Sequence, residues 1–84
     1  MMKSRKKLGL TQAEFAWLIG VHEITVSKWE RKILDPTSHQ KMMISCFEKS
    51  NVDDLDVPTL LKTEGPVFTL VKILTTIKEI SDKL

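Results

Sequence analysis

Three residues, Gly20, Val21 and His22, join two stretches that each have the pattern of a short helix. A connection this short does not let the second helix run back antiparallel along the first, so the two helices must cross at a steep angle. Gly20 suits the connection because glycine adopts a positive φ at little cost. The spacing therefore predicts a compact arrangement of crossed helices.

The crossing restricts the side chains on both helices. Ala16 must be small where the second helix passes over the first, because helices that cross closely leave little volume between them. The apolar residues predicted to face each other across the contact are Phe15 and Ile19 on the first helix, and Val21, Val26 and Trp29 on the second.

Local signals predict where the other helices begin and end. The sequence TQAE, starting at Thr11, is a capping box, and TSHQ, starting at Thr37, is a second one. Residues 1–9 have the pattern of a short basic helix that ends at Gly9. The helix after Thr37 is predicted to reach about Lys49 and to face inward with Met42, Met43, Cys46 and Phe47.

The C-terminal part of the chain is predicted to be helical as well. A turn precedes a short helix near Leu60 and Leu61, and the sequence TEGP (63–66) is predicted to interrupt the helical structure. Beyond the break, the many β-branched residues favour a strand, whereas the 3-4-3-4 spacing of apolar positions and the polar end favour a helix. The apolar seam consists of Leu70, Ile73, Ile77, Ile80 and Leu84.

Composition indicates an ordinary globular protein, with 42% hydrophobic and 29% charged residues in 84 residues. No apolar run approaches the roughly 20 residues needed to span a bilayer, and no signal peptide is recognisable, so we expect a cytoplasmic protein without membrane contact. Cys46 lacks a disulfide partner and makes no zinc spacing with His22 and His39. No cofactor or metal is expected.

Charge is distributed unevenly along the chain. Residues 1–41 hold eight Lys and Arg against four Asp and Glu, a net charge of +4, whereas residues 42–84 hold five against seven, a net charge of −2. A basic first half is typical of proteins that bind polyanions, because neutralising phosphates releases counterions. A solvated surface of mixed sign is the alternative.

Residues 8–31, LGLTQAEFAWLIGVHEITVSKWER, resemble the phage-repressor (Cro-like, Xre-type) helix-turn-helix family. Shared features are the LGLTQ start, the alanine, the GV turn four residues later and the VSKWE close, within a resemblance that covers residues 1 to about 50. The resemblance implies an all-α, lambda-repressor-like bundle of about five helices. The expected division is a DNA-binding domain at 1–62 and a C-terminal helical extension at 63–84.

The resemblance also implies roles for individual residues. In this family the second helix of the motif, here about 22–31, enters the major groove. Glu23 is expected to contact a cytosine amino group, Ile24 a thymine methyl, and Lys28 guanine or a phosphate. Ser27 is the fourth expected base contact. Expected backbone contacts are Gln12, His22, Arg31, Lys32 and Lys41. Expected structural residues are Arg5, paired with Glu30, together with Ala16, Gly20, Val26 and Trp29.

Several of these residues have a second interpretation. Glu23 is also a favourable anion at a helix N-terminus, and His22 is also a helix cap. Lys28, Arg31 and Lys32 are also compatible with a solvated face, and Cys46 with a packing residue. No catalytic arrangement follows from the spacings, so an enzyme is not expected.

Three positions depart from the family pattern. Ser4 stands where the first helix usually carries an apolar residue, which predicts a weak first helix. Trp17 occupies a normally polar, exposed position and suggests an anchor for the tail or a partner. Lys32 stands where glycine is frequent, so the following loop is expected to take a different path.

Two classes of function remain open from sequence. The first is a sequence-specific DNA-binding regulator, a homodimer on a pseudo-palindromic site, with prophage repressors and toxin-binding antitoxins sharing the same module. The second is a protein-interaction module that kept the fold and lost DNA binding, favoured by Glu23, Ile24 and Trp17. Residues 66–84 are a candidate dimer surface, or alternatively a helix that packs onto its own domain.

Overall fold

A computed structural model describes the backbone of residues 2–83 and the side chains of residues 2–77. This range contains five helices and no strand: α1 (Met2–Leu8), α2 (Gln12–Ile19), α3 (Glu23–Glu30), α4 (Ser38–Lys49) and α5 (Val57–Lys83). Helix α2 lies against α3 and α5, and α4 lies against α1 and α5. The predicted all-α class and the number of helices are confirmed.

Both predicted capping boxes are formed. The Thr11 hydroxyl accepts a hydrogen bond from the Glu14 N–H, and the Glu14 carboxylate accepts one from the Thr11 N–H. The Thr11 N–H lowers the pKa of Glu14 because it stabilises the ionised form. Thr37 and Gln40 make the same reciprocal pair before α4. These caps satisfy backbone donors that the first helical turn leaves without partners.

The core is built from one side of every helix. Phe15 of α2 and Phe47 of α4 are fully buried, with ring centroids 5.9 Å apart and ring planes at 74° in an edge-to-face contact. The other buried apolar residues are Leu8, Leu10, Ala16, Leu18, Val26, Trp29, Ile44, Val52, Val57, Leu61 and Ile73. Because Val26 and Trp29 belong to this cluster, the core fixes which side of α3 faces solvent.

Helix α5 is divided by Gly65, whose φ of 85° and ψ of 173° are not helical. Pro66 follows at the first position of the second segment, where its missing N–H costs nothing. The break predicted from TEGP is confirmed, and the residues after it form a helix and not a strand. None of the helices described for residues 2–83 combines the length and apolarity needed to cross a bilayer.

The second segment of α5 packs back onto the rest of the chain. Thr69 and Ile73 are fully buried, Leu70 packs against the core, and the Thr76 hydroxyl accepts a hydrogen bond from the Asn51 N–H. Leu70 and Ile73 of the predicted apolar seam therefore point inward and Ile77 is half-buried; the side chains of Ile80 and Leu84 lie outside the described residues. The division into 1–62 and 63–84, which falls within the first segment of α5, stays a prediction.

The predicted inward face of α4 was partly wrong. Phe47 is buried and Met43 packs against the core, but Met42 is 66% exposed and Cys46 is only half-buried. Ile44 takes the central position instead. Rotation of the helix by about one residue, some 100°, accounts for the difference.

Candidate nucleic-acid interface

One side of α3 is anchored in the core and the other is free. Val26 and Trp29 are buried, whereas Glu23, Ile24 and Lys28 are exposed and Ser27 is half-buried. All four predicted base-contacting residues thus lie away from the deepest part of the core. The exposed group starts at the helix N-terminus, which is the end that motifs of this geometry direct at base edges.

His22 caps this end of α3. Its Nδ1 accepts a hydrogen bond from the Ile24 N–H over 3.2 Å. With Nδ1 accepting, a neutral imidazole carries its proton on Nε2, which leaves a donor on an exposed ring. His22 therefore acts as the cap that the sequence allowed, and the same ring retains a donor for a phosphate.

The C-terminal end of α3 is held by a polar network with three members. Arg5 donates from Nε to Glu30 Oε2 over 2.7 Å and from Nη2 to Glu30 Oε1 over 3.2 Å. Gln12 donates from Nε2 to Glu30 Oε1 over 3.0 Å. Glu30 thus joins α3 to α1 and α2 at once, which fixes the position of α3 relative to the two helices before it.

The side chains of this pair are shielded from water, with 4% exposure for Glu30 and 17% for Arg5. Burial opposes ionisation of Glu30, but the hydrogen bonds from Arg5 and Gln12 outweigh it and hold the pKa of Glu30 below its ordinary value. The Glu30 carboxylate correspondingly raises the pKa of Arg5. Both groups are therefore charged at neutral pH.

Gln12 was predicted from the resemblance to contact a DNA phosphate. Its amide lies at the N-terminus of α2 and is half-buried, with one N–H directed at Glu30. A primary amide has two N–H donors, so the second remains available for an anion next to the helix N-terminus. The bond to Glu30 had no signal in the sequence, because residues 12 and 30 meet only when α2 and α3 cross.

The predicted backbone-contacting cations are all exposed, as is Lys28, which is predicted to contact a base; the three backbone-contacting cations are Arg31, Lys32 and Lys41. The two ion pairs formed among the side chains of residues 2–77 are Arg5–Glu30 and Lys62–Glu14, so no described carboxylate neutralises these four charges. Three of them lie at or just beyond the end of α3, and Lys41 is in the first turn of α4. Exposed cations that form no ion pair among the described side chains suit a polyanion.

Residues 1–39 match the family model described as Helix-turn-helix. The match contains the whole unit whose geometry is given above, α1 to α3 and the loop after it, and covers just under half of the chain. Residues 1–39 are a helix-turn-helix domain of the Xre, lambda-repressor-like type. Neither the curated proteins nor the solved structures gave a match to the chain.

This family consists of DNA-binding regulators and is generally non-enzymatic. The match supports a DNA-binding role for residues 1–39, with α2 and α3 as the two helices of the motif. Gly20, at the turn between them, has a φ of 89° and no heavy atom within 4 Å of the place where a Cβ would stand. Glycine is thus favoured by the backbone conformation and not by lack of space.

Lys32 adopts the left-handed backbone conformation that glycine often adopts just after the end of a helix. Its φ is 61°, its N–H donates to the Trp29 carbonyl, and the Ile33 N–H donates to the Lys28 carbonyl. These two bonds with a left-handed residue between them make a Schellman motif. The loop was expected to change its path because glycine is missing, but the left-handed turn is kept and a lysine adopts the strained conformation.

We expect the Lys32→Gly variant to be more stable than the wild type by about 0.5–1 kcal/mol, since a left-handed conformation costs a side-chain-bearing residue roughly 1–2 kcal/mol. Urea unfolding followed by circular dichroism measures the difference. Arg31→Gly is the matched control: Arg31 has a φ of −88°, so glycine there is expected to destabilise by about 0.5–1 kcal/mol. A loss of stability in Lys32→Gly would contradict the assigned backbone conformation.

The structure also shows the surroundings of the other two residues that depart from the family pattern. Ser4 is fully buried and its hydroxyl donates to the Glu48 carboxylate over 3.0 Å, so the polar residue on the inner side of α1 has a partner. Lys7 adds a bond from Nζ to the Glu48 carbonyl over 2.5 Å. Trp17 is exposed, as expected from its position on α2.

Sequence reasoning missed Ile33 and Leu34. Both are exposed apolar residues in the loop that follows Lys32. Two adjacent apolar residues outside any predicted helix were the available signal. They follow Arg31 and Lys32 directly in the chain.

Proposed function

We propose that the chain binds double-stranded DNA in a sequence-specific manner and acts as a small cytoplasmic transcriptional regulator. The observation that carries the proposal is the division of α3: Val26 and Trp29 are buried in the core, while Glu23 and Ile24 at its N-terminal end and Lys28 in its last turn are exposed. A helix held in this way can enter the major groove with its outward side chains against base edges.

The proposed contacts fall into two groups. Glu23, Ile24, Ser27 and Lys28 read bases, because they lie on the free part of α3. The residues that position the protein on the sugar-phosphate backbone are Gln12, His22, Arg31, Lys32 and Lys41, which supply donors or positive charge but carry no sequence information.

We further propose that the protein binds as a homodimer to a pseudo-palindromic operator. One α3 offers only four candidate base contacts, and two-fold proteins of this class double that number at half-sites about 34–36 Å apart. A role as a prophage repressor and a role as an antitoxin that also binds a toxin both use this arrangement. The exposed Trp17 favours an additional protein partner.

The experiment that tests this function is selection of bound fragments from a random or genomic DNA pool, followed by sequencing. We expect an enriched sequence with two related half-sites. Lys28→Ala is then expected to cost roughly 1–3 kcal/mol of binding at one base pair of each half-site, and to relax the preference there. Affinity is measured by titration against the selected operator and against single-base variants of it.

Lys49→Ala is the matched control, because Lys49 is exposed at the far end of α4 from the loop that follows α3. It is expected to leave affinity and preference unchanged. An equal loss on every sequence in Lys28→Ala would reassign Lys28 to a phosphate. No enriched sequence at all would favour the protein-interaction module.

A further inference from the structure

The N-caps of α2, α3 and α4 differ in the atom that accepts the hydrogen bond. Helices α2 and α4 are capped by the hydroxyls of Thr11 and Thr37, each within a reciprocal capping box. Helix α3 is capped by the imidazole of His22, whose Nδ1 accepts from the Ile24 N–H over 3.2 Å. A hydroxyl oxygen remains an acceptor at any pH near neutrality, whereas the imidazole nitrogen stops accepting when the ring takes up a proton.

We propose that His22 is a positioning residue for base recognition, and that protonation of its ring releases the first turn of α3 and lowers the ability of the protein to discriminate between DNA sequences. The inference rests on the proposed function, because this turn carries Glu23 and Ile24, two of the proposed base contacts. It adds regulation by protons to that surface and gives His22 a role beside its proposed contact with a phosphate.

The Ile24 N–H depends on the His22 ring. The Thr25 and Val26 N–H groups donate to the His22 carbonyl, a backbone acceptor that does not titrate. Within the described part of the chain, the ring is the one acceptor that the Ile24 N–H has. Protonation therefore leaves this donor without a protein partner and places a positive charge at the positive end of the helix dipole. Both effects destabilise the same helical turn.

The rest of α3 does not depend on this cap. Val26 and Trp29 are buried, and Glu30 is held by Arg5 and Gln12. These contacts keep the helix attached to the core, so the loss of the cap affects the first turn only. An exposed turn with few buried contacts opens at a low cost in free energy.

The charged groups around His22 are few. Glu23 follows it directly on α3. Helix α2 packs against α3 and has one ionisable residue, Glu14, which is bound to the Thr11 N–H and lies 3.9 Å from Lys62 Nζ. Among the described side chains, no carboxylate oxygen lies within 4.0 Å of a His22 ring nitrogen. No ion pair therefore holds the protonated ring in the position of the cap.

Specific and non-specific DNA binding respond differently to this change. Contacts with phosphates require charge and donors, and a protonated His22 provides both, so binding to unrelated DNA is not weakened. Base contacts require an ordered first turn, and ordering it again subtracts free energy from specific binding alone. The ratio of the two affinities is expected to fall about fivefold from about pH 8 to about pH 5.5, which is about 1 kcal/mol, the usual contribution of an N-cap.

The cap is tested in the free protein by nuclear magnetic resonance. The chemical shift of the Ile24 amide proton is expected to change between these two pH values together with the ring protons of His22. His22→Asn replaces the ring by another good N-cap, an amide oxygen that does not titrate, so its Ile24 signal is expected to stay constant. His39→Asn is the matched control, because His39 is the other histidine of the chain and is exposed in the first turn of α4. It is expected to behave like the wild type.

Selectivity is measured as the ratio of the affinities for the selected operator and for an unrelated duplex of equal length, at both pH values and constant ionic strength. Wild type and His39→Asn are expected to lose selectivity on acidification, whereas His22→Asn is expected to show no change with pH. His22→Ala, which has no acceptor, is expected to have low selectivity at both pH values. Loss of the pH dependence in His39→Asn, or its persistence in His22→Asn, would overturn the proposal.

The two measurements separate this inference from the proposed function. A protein that binds no DNA, but whose Ile24 signal follows the pH, would overturn the function and leave the proton-dependent cap. A protein that binds its operator with the same selectivity at both pH values would overturn the role of the cap in recognition and leave the function. An Ile24 signal that does not respond to pH in the wild type would overturn the cap itself.

Discussion

Replacing Arg5 by methionine is expected to lower the free energy of unfolding by about 3 kcal/mol, the lower end of the range for breaking a buried ion pair. The substitution leaves Glu30 charged, 4% exposed and with one remaining side-chain donor, Gln12. It also removes the bond from Arg5 Nη1 to the Leu10 carbonyl, which is 3.0 Å long. A domain of this size has few kcal/mol to lose, so a large fraction of molecules is expected to unfold.

Two further variants distinguish the loss of stability caused by breaking the Arg5–Glu30 pair from a general effect of substitutions in α1. Lys6→Met removes an exposed charge one residue away and is expected to change stability by less than about 0.5 kcal/mol. In the double variant Arg5→Met/Glu30→Met the loss is expected to be smaller than in Arg5→Met, because no charge is left without its partner. A double variant that loses the sum of the two single effects would show that the pair is not coupled.

The stabilisation from Glu30 depends on pH in a direction that follows from its lowered pKa. The ionised form is favoured in the folded state, so the stabilisation is complete above the ordinary pKa of a glutamate and is lost as the pH falls through the lower folded value. In Arg5→Met the main cause of the lowering is gone, and burial raises the pKa of Glu30 instead. The difference in stability between wild type and Arg5→Met is therefore expected to narrow on acidification, as urea unfolding at several pH values measures.

Much of the fold could be predicted because its signals are local. The capping boxes at Thr11 and Thr37, and the stops at Gly9 and Gly20, each depend on residues within one helical turn. Helix boundaries set by such contacts do not require knowledge of the tertiary structure. The two crossed helices followed from the length of the connection between them.

The misjudged faces depended on contacts distant in sequence. Met42 and Ile44 are both apolar and two positions apart, so periodicity alone did not decide which one enters the core. In α5 apolar residues occur on both sides of the helix, and only the packing of Ile73 against the core separates the buried side from the exposed side. Ser4 became an acceptable core residue through Glu48, which is 44 positions away.

At the candidate site, the exposed side of α3 could be predicted from the sequence, whereas the contacts that hold the helix in position could not. Val26 and Trp29 are apolar and Glu23, Ile24 and Lys28 face the opposite way, which a helical period already gives. The bond from Gln12 to Glu30 exists only in the folded chain. The strained φ of Lys32 was also hidden, because a lysine does not signal a left-handed conformation.

The affinity of the protein for DNA is expected to fall by about 10³- to 10⁵-fold when the salt concentration rises from about 50 to 200 mM. The cause is release of counterions by the proposed phosphate contacts Arg31, Lys32 and Lys41, which are exposed and form no ion pair among the described side chains. Three phosphate contacts per copy give a slope of log affinity against log salt of about −2.7, and a dimer gives about −5.4, which corresponds to a loss of about 10³-fold over this range of salt.

Single substitutions measure how much each cation contributes to the salt dependence of DNA binding. Lys41→Gln is expected to make the slope less steep by about one per copy and to weaken binding on all sequences alike, as a phosphate contact does. Lys49→Gln, the exposed control on the same helix, is expected to leave the slope unchanged. A slope that changes equally in both variants would mean that only the net charge matters.

The most direct measurement is a filter-binding or gel-shift titration of the full chain with the DNA pool at several salt concentrations, for the wild type, Lys41→Gln and Lys49→Gln. Binding that is tight at about 50 mM salt, falls steeply as salt rises and loses slope in Lys41→Gln alone is the expected result. Absence of binding at about 50 mM salt, or binding that does not respond to salt, would contradict a DNA-binding role for the free face of α3 and the cations beside it.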